Sequence, residues 1–291
     1  MPFLEGSTES LKWLEIAVTA SPSQEEELYD LLSERRLGGW IVEADEPKLV
    51  LVFYLSCESG WEIRLGSLKD ALRRMSAEVE IRRSVTDDDW ANCWKQYYHV
   101  RHLGQTLVIR PSWEEYQAKD GEHVITLDPG MAFGTGLHPS TSNCLVLAED
   151  FLLNNQAGSV LDVGTGSGII AIEAALLGAE SVLASDIDPV AVHVAKDNVA
   201  INGQEERVRV IEYDGVPEGE YDLVVANIVA AVHLVQAADY ARAVKAGGCL
   251  IVSGIIDFRR DEVVQALQEQ GFAIDRETLD DEWVSLRMLK R

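Results

Sequence analysis

Val160-Leu161-Asp162-Val163-Gly164-Thr165-Gly166-Ser167-Gly168 reads as a strand that ends and turns at once into a helix. Small residues at such a turn let main-chain groups approach a ligand closely, and the carboxyl edge of an open α/β sheet is where ligands bind. The spacing is G-x-G-x-G. A nicotinamide or flavin protein more often carries G-x-G-x-x-G, whose helix N-terminus receives a pyrophosphate. Here Gly168 is followed by Ile169, which tilts the reading toward S-adenosylmethionine. A strand-to-helix turn without a ligand is the other reading of this stretch alone.

Outward from this turn, strands and helices alternate in the way of an open sheet covered on both faces. Strands are predicted at 159–163, 181–185, 207–213, 221–226, 248–253, 272–278 and 283–289, which makes seven. Helices are predicted between them, among them 167–177, 189–202 and 258–270. Upstream, residues 11–84 read strand, helix, strand, strand, helix, strand. The first of those helices follows Ser21-Pro22-Ser23, carries Glu25, Glu26 and Glu27 against its positive dipole end, and stops at Gly38-Gly39. A βαββαβ order usually forms a small ferredoxin-like α+β sandwich. The expected division is therefore 1–84 for an N-terminal domain, 85–119 for a linker and 120–291 for the catalytic α/β domain. The linker is rich in charge and aromatics, with Trp90 and Trp94 on one helical face. These aromatics read either as core or as substrate-facing.

The chain has 291 residues, enough for two domains with separate cores. No apolar run approaches the ~20 residues of a membrane span, and the N-terminus lacks a basic start followed by an apolar stretch, so a cytoplasmic protein without a membrane partner is expected. Forty-nine acidic residues against 25 basic ones give a formal charge of -24, which repels phosphate backbones and attracts cationic partners. Nucleic acid is not the expected substrate; a basic partner and simple solubility are both accounts of the charge. Cys57, Cys93, Cys144 and Cys249 show no C-x-x-C spacing and the six histidines no ligand cluster, so neither disulfide nor metal is expected.

Four further positions carry chemistry. Asp186, in Ser185-Asp186-Ile187-Asp188-Pro189, ends a strand 18 residues past Gly168, near the spacing of a ribose-binding carboxylate. Asp188 is better explained as the N-cap of a helix beginning at Pro189. Asp214, in Tyr213-Asp214-Gly215, is placed either to meet an adenine amino group or simply to make a turn. Asn227 follows Asp222-Leu223-Val224-Val225-Ala226 at a central carboxyl edge, where its amide is suited to orient a nucleophilic amine or to cap a turn. The loop Leu127-Asp128-Pro129-Gly130-Met131-Ala132-Phe133-Gly134-Thr135-Gly136-Leu137-His138-Pro139-Ser140-Thr141 is broken by Phe133 and leads into a helix, so it is suited to fold over a cofactor. His138 by itself reads as structural.

The LDPGMAFGTGLHPST loop, together with VLDVGTGSGIIAIEAALLGA, SDIDPVAV, VVANI and SGI in that order and spacing, resembles the bacterial ribosomal protein L-eleven methyltransferase (PrmA) family. The segment SVTDDDWANCWKQYYHVRHLGQTLVIRPSW is similar to that family's linker, whereas residues before it match more by layout than by residues. The resemblance implies a seven-stranded Rossmann-like class I methyltransferase sheet, S-adenosylmethionine as cofactor, and an N-terminal domain that docks the ribosomal protein. It implies cofactor positions at Thr141, Gly164, Asp186 and Asn227, with Asn227 also facing the amine; Gly166, Phe133 and Asp214 join that set from the residue reading. The implied reaction is methylation of lysine side chains and of the N-terminal α-amino group of the ribosomal protein L-eleven. Departures from the pattern are Thr165 where cysteine is common, Leu137 where threonine is common, and Ala230-Ala231-Val232 where proline often follows Asn-Ile-Leu-Ala. Rival expectations are a lysine methyltransferase for another protein, such as an electron-transfer flavoprotein subunit, a nicotinamide oxidoreductase, and a non-catalytic binding module.

Overall fold

The computed structural model describes residues 13–35, 37, 40–45, 48–57, 60–85, 98–128, 132–155 and 157–291. The chain forms two compact units, Met1–Tyr98 and His99–Arg291.

In the first unit, β1 (Trp13–Ala20), α1 (Glu25–Glu34), β2 (Trp40–Asp45), β3 (Lys48–Ser56), α2 (Trp61–Arg74) and β4 (Glu78–Val85) follow one another as the sequence pattern predicts. Their sheet has the order β2-β3-β1-β4 with antiparallel neighbours, the ferredoxin-like arrangement. Two βαβ crossovers each place a helix against the sheet, so Leu28 and Leu32 of α1 and Leu68 and Leu72 of α2 are buried along with Ile16, Val18, Leu51 and Phe53. The Gly38-Gly39 stop lies outside the described residues, as do Trp90 and Trp94 of the expected linker.

The second unit opens with a small three-stranded sheet of β5 (Arg101–Leu103), β6 (Leu107–Arg110) and β7 (His123–Thr126). Part of the segment expected as linker, 85–119, thus supplies strands to the second unit. Their anchor is Glu149, fully buried on α3 (Pro139–Asn154), whose carboxylate accepts from the main chain of Gln105 and Thr106 at 2.7 and 2.6 Å and from the Thr106 hydroxyl at 2.7 Å. Three donors in a tight turn are satisfied by one acid from a different element.

The large sheet contains β8 (Ser159–Val163), β9 (Ser181–Asp186), β10 (Val208–Glu212), β11 (Tyr221–Asn227), β12 (Val244–Ile256), β13 (Phe272–Asp280) and β14 (Trp283–Lys290). Its order is β10-β9-β8-β11-β12-β14-β13, with β14 antiparallel to both neighbours and the rest parallel. The seven predicted strands are all present. Alternation along each strand sends Val160, Leu223 and Cys249 into one core with α3, α4 (Ile169–Leu176) and α5 (Pro189–Ile201). Leu161, Val224 and Leu250 enter the opposite core with α6 (Ala230–Ala243) and α7 (Arg260–Glu269). Chain order reverses between β8 and β11, which puts the switch point of the sheet at the glycine turn. No helix among the described residues is long and apolar enough to cross a membrane.

One acid in this core has no local compensation. Glu173 of α4 is fully buried and neither carboxylate oxygen has a hydrogen-bond partner. Burial first, and then the carboxylates of Glu149 and Asp162, hold its acid well above the usual 4.5. Because the folded state favours the protonated form, this group costs stability progressively as pH rises above about 4.5. Replacing it by an apolar residue of similar size removes that cost. Glu173→Leu is therefore expected to raise the Tm at pH 8 by about 3–8 °C, and by less at pH 5. Thermal unfolding at the two pH values checks this, and an unchanged or lower Tm at pH 8 contradicts it.

Candidate functional site

The glycine turn is fixed by β9. The amides of Gly164 and Thr165 both donate to the Ser185 carbonyl, at 2.8 and 2.9 Å, and the Gly166 amide donates to Asp186 Oδ2 at 2.9 Å. The other Asp186 oxygen accepts the Asp188 amide at 2.9 Å. Asp186 thus clamps two loops and keeps one lone-pair direction on each oxygen for further donors. Asp188 caps α5 by accepting from the Val190 amide at 2.9 Å, with Pro189 at the first helical position, in keeping with its structural reading.

Below the turn, Asp162 is buried and accepts from the Thr165 hydroxyl at 2.5 Å through Oδ2, while Oδ1 has no partner. Desolvation pushes its acid up to about 7. From α5, Asn198 donates to the Ser167 carbonyl at 2.8 Å. The turn is held from three sides, which preorganises its amides.

The aromatic loop lies on this turn. Ser167 donates its amide to the Phe133 carbonyl at 2.9 Å and its hydroxyl to the Gly134 carbonyl at 2.5 Å. Gly166 shows why no side chain is tolerated there: φ is +54° and a Cβ would stand 2.5 Å from the Phe133 oxygen. The Phe133 side chain is 40% exposed, with its ring 5.4 Å from His138, which in turn lies 4.6 Å from Trp283 at the start of β14. His138 caps α3 by accepting from the Ser140 amide at 3.3 Å, and burial lowers its imidazole to about 4, so it is neutral at physiological pH. This is the structural role expected of it. Pro129, Gly130 and Met131 of the loop lie outside the described residues.

Thr141, buried in the first turn of α3, accepts from Asn227 Nδ2 at 3.1 Å. The Asn227 amide is thereby oriented, and its Oδ1 is left buried without a partner. Next to it, Ile228 lies over the glycine turn, where a Cβ on Gly164 would stand 2.5 Å from its Cγ2. Asp214 is exposed in the bend after β10, and the preceding amide, that of Tyr213, donates to the Asp186 carbonyl at 2.9 Å.

Gly166, Asp186 and Phe133 are therefore joined by direct contacts, Gly164 is bonded to Ser185 next to Asp186, Thr141 and Asn227 form a second linked pair, and Asp214 follows the residue hydrogen-bonded to Asp186. The pattern of the sequence did not single out Ser140 (the neighbour of Thr141), Ser253 (the register partner of Asn227), His233 (which faces the Ser253 carbonyl) or Trp283 (which packs on His138). Ser253 lies within the quoted SGI series, but nothing in its spacing announces its partners.

Residues 49–291 match the family model described as ribosomal protein L11 methyltransferase (PrmA). Ribosomal protein L11 methyltransferase of Pelotomaculum thermopropionicum is 38% identical over 95% of this chain and 98% of its own length. That of an Exiguobacterium species is 39% identical over 95% and 98%. The crystal structure of ribosomal protein L11 methylase from Lactobacillus delbrueckii subsp. bulgaricus superposes with a TM-score of 0.60 at 36% identity, covering 67% of this chain and all of that one. Sequence match along nearly the whole length and a shared fold agree: the chain belongs to the ribosomal protein L11 methyltransferase (PrmA) family.

Proposed function

We propose that this chain is a cytoplasmic S-adenosylmethionine-dependent protein methyltransferase that modifies lysine side chains, and the N-terminal α-amino group, of ribosomal protein L11. The observation that carries the reading is the buried, unpartnered Oδ1 of Asn227 beside a glycine turn built for close main-chain approach. The site has the donors and acceptors a sulfonium nucleoside needs. Gly164 and Gly166 would admit the cofactor to the main chain, Asp186 would accept from the ribose hydroxyls with its remaining lone pairs, and Asp214 would face the adenine amino group. Phe133 and Thr141 would close the loop side. When bound, S-adenosylmethionine supplies an electrophilic methyl group on positively charged sulfur.

The chain's own residues have three tasks in such a transfer: to align donor and acceptor, to hold the acceptor nitrogen as the free amine, and to exclude water. Desolvation inside a closed pocket lowers the pKa of an ammonium and so favours the neutral amine. Asn227 Oδ1 is the fixed acceptor that would take one amine N–H and aim the nitrogen lone pair. Its nitrogen is already committed to Thr141, so the oxygen has no rival partner to swing toward. No covalent intermediate is required. The formal charge of -24 favours a basic protein substrate over nucleic acid and would steer it toward the enzyme. Substrate recognition is assigned to the N-terminal domain (1–84), joined through 85–119 to the catalytic part (120–291).

Purified enzyme, labelled cofactor and free L11 test the substrate. Label on lysines or the N-terminus of L11 is expected; label on another cellular protein and none on L11 overturns the assignment in favour of a different lysine methyltransferase.

Two substitutions separate the roles within the site. Asp186→Ala is expected to weaken cofactor binding by about tenfold or more, since it removes a ribose acceptor and also frees the Gly166 and Asp188 amides. Asn227→Ala is expected to lower kcat by about 10- to 100-fold with cofactor affinity changed by no more than about threefold. Calorimetric binding of S-adenosylhomocysteine and steady-state kinetics check the pair, and equal effects of both variants on both quantities contradict the division. The same nucleoside, and not NAD, is expected to raise the Tm through linkage.

A further inference from the structure

Ser253 of β12 is the register partner of Asn227, and it gathers four contacts at the carboxyl edge of the sheet. Its carbonyl accepts from the Ile228 amide at 3.2 Å and faces His233 Nε2 at 2.9 Å. Its hydroxyl donates to the Ser140 carbonyl at 3.0 Å and lies 2.6 Å from the hydroxyl of Ser285, which is left as the donor. All of Ser140, His233, Ser253 and Ser285 are buried, so each contact is made without competition from water.

His233 is the member of this group that has a polar side chain on an otherwise apolar face of α6, between Ala230 and Ala237. A carbonyl only accepts, so Nε2 carries the proton toward Ser253. Burial keeps the imidazole neutral at physiological pH, which leaves Nδ1 as an acceptor. The Tyr240 hydroxyl, two helical turns further, lies 3.2 Å from Nδ1 and donates to the Gln236 side-chain carbonyl oxygen at 3.0 Å. The ring is therefore oriented by the bond from Nε2 to the Ser253 carbonyl, with the tyrosyl oxygen set against its other nitrogen.

That work is done on the segment after β11. Asn227 and Ile228 lie between two anchors: Thr141 on the α3 side and the Ser253 carbonyl on the β12 side. The adjoining Gly254 has φ of +77°, and a Cβ there would stand 2.5 Å from the Ile228 oxygen, so β12 presses directly on the same peptide. The β12 to β14 register shifts between Val252 and Ile255, so the ladder on that side of β12 is interrupted beside Ser253, while the β11 to β12 ladder runs on to the Asn227–Ser253 pair.

We infer that His233 is a positioning residue for methyl transfer, acting through the Ser253 carbonyl to fix the Asn227–Ile228 peptide and hence the Asn227 amide. The inference rests on the proposed role of Asn227 toward the amine. His233 itself touches neither cofactor nor amine.

The test is a double-mutant cycle in the full-length enzyme with L11 and S-adenosylmethionine. His233→Leu is expected to lower kcat by about 10- to 100-fold while the KM for the cofactor and the Kd for S-adenosylhomocysteine stay within about threefold. His233→Gln, which keeps an N–H near the place of Nε2, is expected to recover most of the lost rate. In the Asn227→Ala background, His233→Leu is expected to cost no further rate, because the group it positions is gone. Tyr240→Phe, a smaller change that removes the hydroxyl set 3.2 Å from Nδ1, is expected to lower kcat by about three- to tenfold, again only when Asn227 is present, and it carries the test if His233→Leu does not fold. A lowered Tm with an unchanged kcat per folded molecule, or effects that add fully with Asn227→Ala, makes His233 a packing residue and overturns the inference. Failure of the wild-type enzyme to label L11 strikes the substrate reading instead, and the same cycle is then run on the protein it does label.

Discussion

The Ser185–Asp186 peptide at the end of β9 takes up three amides of the glycine turn, two on a carbonyl and one on a carboxylate. A turn containing three glycines has more freedom to lose than any other stretch of this chain, and without those acceptors it has little reason to adopt one shape. Once stapled to the neighbouring strand, it offers a rigid floor against which Phe133, Gly134 and Ile228 settle. Rigid main-chain groups at a switch point are the cheapest form of recognition, because no side-chain entropy is lost when a ligand arrives.

The acids around this floor are divided by environment. Asp186 is partly exposed and takes one amide on each oxygen, whereas Asp162 and Glu173 are buried with one oxygen and both oxygens, respectively, left without a partner. Desolvation pushes the Asp162 acid up to about 7 and holds that of Glu173 well above the usual carboxylate range. The buried ones contribute mainly to how the core responds to pH.

The large sheet was legible because its central strands β8, β11 and β12 carry apolar runs, and because the glycine spacing and Asp186 obey short-range rules. Local chemistry also announced the cap at Asp188. Other parts were not legible, for a common physical reason. Strands β5 and β6 are three and four residues long and lie in a charged, aromatic stretch, so they have too little periodicity of their own and are defined by Glu149, more than 40 positions away. The 13 residues of β12 outrun the predicted 248–253 because its ends are set by β11 and β14, with register shifts on both sides. The Ser253 group is drawn from four elements, and its longest contact spans 113 positions. Nothing in a local window encodes such a meeting.

Glu149 has a further consequence for where the second unit begins as a physical object. A chain shortened to start at residue 120 would keep the seven-stranded sheet and every residue of the glycine turn, yet it would strip this acid of all three of its donors and uncover the apolar side of α3 on which Leu107 and Ile109 pack. A carboxyl group deprived of its hydrogen-bond partners in an apolar core is among the costlier defects a fold can carry. The turn between β5 and β6 is thereby tied to the unit that holds the seven-stranded sheet.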